Sequence, residues 1–94
     1  MMTDRMAMAV AIERYGDGPQ LVKACEELAE LQQAICKLFD KSTGYSPDVE
    51  AVVEEIADVE IMLEQVRMIL HIDPEQEARW RKRKLLQLKT RLAR

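Results

Sequence analysis

Aromatic side chains are scarce in this sequence: one Trp, one Phe and two Tyr, 4% of the residues. That is little material for an aromatic core or for a platform on which nucleic-acid bases stack. Glycine and proline are as sparse, three of each, so the chain has few places to turn. One histidine and two cysteines without ligand-like spacing offer no zinc set. If Cys25 and Cys36 share a helix they stand about 16 Å apart along its axis, too far for a disulfide. Buried thiols in a reducing compartment are the expectation. No apolar run approaches the roughly 18 residues of a membrane span. The opening Met1-Met2-Thr3-Asp4-Arg5 leads into no secretory apolar region, and a cytoplasmic location without a membrane partner is expected. Ninety-four residues exclude a multidomain machine, so residues 1–94 are expected to form one domain.

What is present is 48% hydrophobic and 33% charged, a Leu/Ala/Glu/Lys-rich composition that favours long helices over disorder. Helical chains of this size often associate to bury more surface. The net charge of −3 conceals a division. Residues 1–78 carry seventeen acids and six bases, net −11, whereas residues 79–94 carry eight bases and no acid. Overall acidity weighs against a general nucleic-acid binder.

Three breaks divide the chain: Gly16-Asp17-Gly18-Pro19, Ser42-Thr43-Gly44-Tyr45-Ser46-Pro47 and His71-Ile72-Asp73-Pro74. Each offers a proline for a first helical turn, and Ser46 and Asp73 are suitable N-caps. Four segments result, near 4–15, 19–41, 47–70 and 74–93. Leu21, Ala24, Leu28, Leu31, Ile35 and Leu38 recur by threes and fours, as do Val49, Val52, Val53, Ile56, Val59, Leu63, Val66 and Leu70. The last segment sets Trp80, Leu85, Leu88 and Leu92 among bases, and Trp80 is expected to pack in a core or interface. The pattern predicts an all-α, antiparallel bundle of about four helices, built on a central pair and completed by oligomerisation.

Most helical glutamates belong to solvated faces, and Glu50, Glu54 and Glu64 fit that description. Glu55 does not, because it lies between Val52 and Val59 inside the apolar ridge, with Asp58 one turn on. On the preceding helix Glu27 and Glu30, also three apart, border the Leu28/Leu31/Ile35 stripe. With the two helices antiparallel, these pairs can face each other. Converging carboxylates repel unless a cation neutralises them. All-oxygen ligation selects Mg²⁺ or Mn²⁺, and Mg²⁺ commonly shares its coordination with phosphates. The competing reading is a bundle whose helices are joined by ion pairs.

The residues around those carboxylates read EELAEL at Glu26–Leu31 and EEIADV at Glu54–Val59, with 24 residues between Glu30 and Glu55. This resembles the ExxE…ExxD signature of the all-α, MazG-type nucleoside triphosphate pyrophosphohydrolases. Tyr15-Gly16 ahead of Gln20, Lys37 after the first motif and the basic tail RKRKLLQLKTRL are similar to the small phage and bacterial members. The resemblance implies a helical bundle that completes its site as a homodimer or homotetramer. It implies Mg²⁺-dependent hydrolysis of (deoxy)nucleoside triphosphates between the α- and β-phosphates, in nucleotide-pool house-cleaning. By position Glu27, Glu30, Glu55 and Asp58 would be metal ligands, with Glu27 or Glu30 as the catalytic base. Glu26 and Glu54 match the family's extra glutamates, in a second shell, in positioning water or at the surface. Lys37, two turns past Glu30, is a candidate phosphate ligand, as are Lys82 and Arg83. Gln20 either reads a base edge or lies exposed in the first turn of its helix.

Two other functions fit the residues. One is a non-catalytic helical dimer whose basic last helix grips nucleic acid or an acidic protein. The other is an interaction bundle in which the carboxylates pair with the Lys and Arg of the tail.

Overall fold

The structure, a computed structural model, describes residues 1–39 and 48–94. Four helices follow in order: α1 (Asp4–Tyr15), α2 (Asp17–Lys37), α3 (Val49–Ile69) and α4 (Pro74–Leu92). No strand occurs among the described residues, and no helix there is long and apolar enough to cross a membrane. The chain is an all-α helical bundle.

Local chemistry sets the ends of the helices. The Thr3 hydroxyl oxygen accepts a hydrogen bond from the Met6 N–H at 3.1 Å and opens α1. Gly16, at φ 95°, closes it, and its N–H reaches the Ile12 carbonyl at 2.8 Å. That backbone conformation suits glycine, and a single residue thereby separates α1 from α2. The second helix begins at Asp17, two residues before the expected Pro19. Proline is tolerated anywhere in a first turn whose N–H groups lack intrahelical partners, so it need not come first.

The proposed break at 42–47 and the Ser46 cap lie outside the described residues. Helix α3 starts at Val49, and its N-cap is Asp48 rather than Ser46, with the Asp48 carboxylate accepting from the Ala51 N–H at 3.0 Å. At its far end His71 adopts φ 52°. The Ile72 N–H reaches the Arg67 carbonyl at 3.0 Å, and the His71 N–H reaches that of Met68 at 3.4 Å. This is a Schellman ending with histidine where glycine is usual. Asp73 then caps α4 through the Glu75 N–H at 2.9 Å, ahead of Pro74, as its sequence signals indicate.

Helices α2 and α3 form the central pair, and α1 packs on both. The buried apolar core is small: Ala24, Val59 and Met62. Buried with it are Gln20, Glu27 and Gln65. The inward face of α2 is therefore Gln20, Ala24 and Glu27, with Leu31, Ala34 and Leu38 half-buried beyond. Leu28 and Ile35, expected in the core stripe, are 46% and 42% exposed, and Ile56 of α3 is 45% exposed. On a helical projection these three lie about a quarter turn away from the contact face. The apolar arc is wider than the contact between the two helices, and its surplus faces out. Cys25 and Cys36 are likewise exposed, not buried.

Helix α4 packs against none of the others. Its lateral tie is a fork in which the Arg67 guanidinium donates to both Glu77 carboxylate oxygens at 2.9–3.0 Å. Trp80 is 52% exposed and packs in no core; instead the Arg83 guanidinium stands 5.1 Å from its ring centre.

Candidate metal centre

The carboxylates come from the facing sides of α2 and α3. Glu27 follows Ala24 by three residues and precedes Leu31 by four, so it shares their inward face, and its side chain enters the inter-helix seam and is only 7% exposed. Glu55 and Asp58 are one turn apart on α3, both half-buried. One oxygen from each of Glu27, Glu55 and Asp58 falls within 4.8 Å of the others.

The charge of this cluster is only partly answered by the protein. The Lys23 ammonium, one turn before Glu27, lies 3.1 Å from Glu27 Oε1 and 3.7 Å from Glu26. Glu27 in turn holds Lys23 more firmly protonated than usual, by its hydrogen bond and its charge. Glu27 Oε2 and Glu55 Oε2 are buried and have no hydrogen-bond partner among the described residues. Burial pushes the Glu55 carboxyl above its usual value, and the charges of Glu30, Glu27, Asp58 and Glu54 push the same way. A buried carboxylate oxygen without a donor is costly. Three carboxylate oxygens are hard donors of the kind that Mg²⁺ or Mn²⁺ takes.

The remaining candidates are distributed unevenly. Glu30 is exposed and stays out of the three-carboxylate cluster. It lines an adjoining groove with Gln33, Lys37, Asp48 and Glu55. Lys37 is thus on the same groove as two of the acids. Glu26 and Glu54 are exposed, and Glu26 is near Lys23. Lys82 and Arg83 lie on α4 and do not line this groove in their own chain.

Gln20 departs from both readings of it. It is neither exposed nor on the groove: its amide nitrogen donates to Gln65 Oε1 at 2.7 Å, in the buried seam. Two participants escaped the sequence reading. Lys23 had a signal, its place four residues before Glu27, where opposite charges meet on a helix. Gln65 had none, since a glutamine among apolar residues does not declare its partner.

Comparison with protein-family models, with curated proteins and with solved structures returns no match.

Proposed function

We propose that this chain is a Mg²⁺-dependent nucleoside triphosphate pyrophosphohydrolase, cutting between the α- and β-phosphates to release a monophosphate and pyrophosphate. The observation that carries the reading is the seam of α2 and α3. There three carboxylates converge within 4.8 Å, and two of their oxygens are buried without a hydrogen-bond partner among the described residues. The ExxE and ExxD motifs supply these residues, and their resemblance to the MazG-type enzymes supplies the reaction.

Glu27, Glu55 and Asp58 would hold the ion, with Glu30 at its edge; Mn²⁺ is the other hard ion these donors suit. When bound, such an ion neutralises phosphate oxygens and makes a coordinated water more acidic. The residues of the chain do the rest. Lys23 keeps one Glu27 oxygen engaged and so fixes the orientation of the other. Lys37 offers its ammonium to the phosphates along the groove it shares with Glu30 and Glu55. Glu30, exposed on that groove, is the better placed of the two candidate bases. Its carboxylate is free to take the proton of an attacking water, whereas both oxygens of Glu27 have other duties. Phosphoryl transfer asks mainly for placement and charge neutralisation, which these residue types provide.

A homodimer or homotetramer belongs to the same reading. Among the described residues three buried apolar side chains make a small core, and Leu28, Ile35 and Ile56 remain outside it. House-cleaning of the nucleotide pool is the role the resemblance implies.

The test is release of pyrophosphate from a panel of ribo- and deoxyribonucleoside triphosphates, with Mg²⁺ or with EDTA, beside Glu30→Gln. Metal-dependent pyrophosphate with an equal amount of monophosphate, lost in the variant, is expected. Orthophosphate with a diphosphate would assign the protein to a different class of enzyme. Absence of both turnover and any Mg²⁺-induced rise in melting temperature would refute the metal centre itself.

A further inference from the structure

Helix α4 has a side that no other described residue covers. Leu85, Leu88 and Leu92 recur by three and four, in line with Ala78 and Arg81, and form one ridge. All three leucines are exposed, Leu92 by 75%. Lys82 and Lys89 flank the ridge on one side, Lys84 and Arg91 on the other. An isolated helix of 19 residues with charge of one sign along most of its length is a marginal structure in water. Its ridge suits a seat that is apolar in the middle and acidic at the rim. A second α4 is no such seat, because bases would meet bases on both flanks.

A surface of that description lies between α1 and α3. Ala7, Met8 and Ile61 make its floor, and Asp4, Glu60 and Glu64 make its rim. Ile61 is 51% exposed there. Glu77 engages the Arg67 guanidinium directly, and Glu60 and Glu64 act on it only through their charges. The chain's own α4 is directed elsewhere by the Schellman turn at His71 and by that fork. The radius of gyration shows the consequence: 17.0 Å, against about 12 Å for a compact chain of this length.

We propose that the α1–α3 groove of one copy receives the leucine ridge of α4 from a second copy, with the basic flanks of the helix against Asp4, Glu60 and Glu64. Charge complementarity selects this occupant, since the body carries net −11 and residues 79–94 carry eight bases without an acid. Nucleic acid would engage the bases and leave the leucines wet. The acidic body would also resist a phosphodiester backbone or an anionic bilayer. The exchange does not depend on the catalytic reading above.

Directed crosslinking tests it in the full chain. In a Cys25→Ser/Cys36→Ser background, one chain carries Ile61→Cys and another, of different tagged mass, carries Leu88→Cys. Oxidation of the mixture is expected to give the mixed two-chain product. Adding Glu60→Lys and Glu64→Lys to the first chain should lower its yield about tenfold or more. If either variant loses its helical circular dichroism, Met8→Cys with Leu85→Cys replaces the pair. Three results would overturn the proposal: no mixed product from either pair; an internal crosslink alone in a single chain carrying both cysteines; or an unchanged yield after the charge reversals. Protection of Leu88→Cys by duplex DNA or by anionic vesicles, without a mixed product, would assign the helix to those partners instead.

Discussion

The seam between α2 and α3 buries polar groups at two places about two helical turns apart, and treats them in opposite ways. At one, Gln20 and Gln65 meet in a single hydrogen bond of 2.7 Å, and the protein closes the gap in its own core. At the other, Glu27, Glu55 and Asp58 meet, and two of their oxygens are left without a donor among the described residues. Both stretches have the same helical spacing and the same two elements. The difference is that amides can satisfy one another, having donors and acceptors, whereas carboxylates only accept. A seam able to build the first arrangement had an available solution for the second, and the carboxylates depart from it. That contrast is what singles out the acidic end for the proposed metal site.

The contrast can be broken most sharply at the acidic end. Glu55→Gln should lower Mg²⁺-dependent pyrophosphate release by about 100-fold or more. Its metal-free melting temperature should rise or hold, because one repelling charge is gone, while the rise on adding Mg²⁺ should vanish. Calorimetry with and without Mg²⁺ reads both. A metal-free protein that loses stability on this substitution would mean that Glu55 is structurally paired, and the two ends of the seam would then be alike.

The amide end should respond in the reverse sense. Gln65→Leu strands the Gln20 amide in the seam and should cost about 1–3 kcal/mol in urea unfolding. Gln20→Leu/Gln65→Leu together should restore most of that, since removing both partners leaves nothing unsatisfied. Neither should change the Mg²⁺-induced shift. Sensitivity of that shift to Gln65→Leu would join the two places into one network.

Smaller effects attend the exit from α3. His71→Gly should stabilise the chain by up to about 1 kcal/mol, because glycine takes a positive φ without steric cost. Thermal unfolding of the metal-free protein measures it. The Arg67–Glu77 fork lies on the same exit, and Arg67 holds the Glu77 carboxyl below its usual value. A depressed carboxyl contributes stability above its unfolded value and loses it as pH falls through the folded one. Acidification below the ordinary carboxylate range should therefore release α4, which fluorescence of Trp80 reports. Glu77→Gln should remove that acid step.

Much of the architecture was legible because it depends on local chemistry. Asp73-Pro74 announces the start of α4, and Gly16 announces the joint before α2. The inward placement of Glu55 was also legible, since it interrupts an apolar ridge between Val52 and Val59. What the spacing could not say was how far the helices are rotated about their axes. The apolar arc of α2 spans Leu21 to Leu38 and is wide enough for two neighbours, and the neighbour within the chain takes only part of it. Hence Leu28 and Ile35 lie outside, Gln20 lies inside, and Glu27 moves from the border of the stripe into the seam. Glu30, three residues on, is offset by about 60° around the helix and stays in water, past the edge of the contact. Helical period alone specifies a face, and only the partner fixes which part of it is used.

The turn at His71 has a mechanical consequence. Since α4 rests on no other helix, the direction in which it points is set by a few backbone angles between Leu70 and Asp73 and by one guanidinium–carboxylate clasp. Nineteen helical residues make a lever of about 28 Å. A rotation of about 10° at its pivot carries the tip by about 5 Å, the rise of one helical turn. Small torsional changes at His71 are thus geared up into the position of Leu92 and the bases around it, while the seam of α2 and α3 stays where it is.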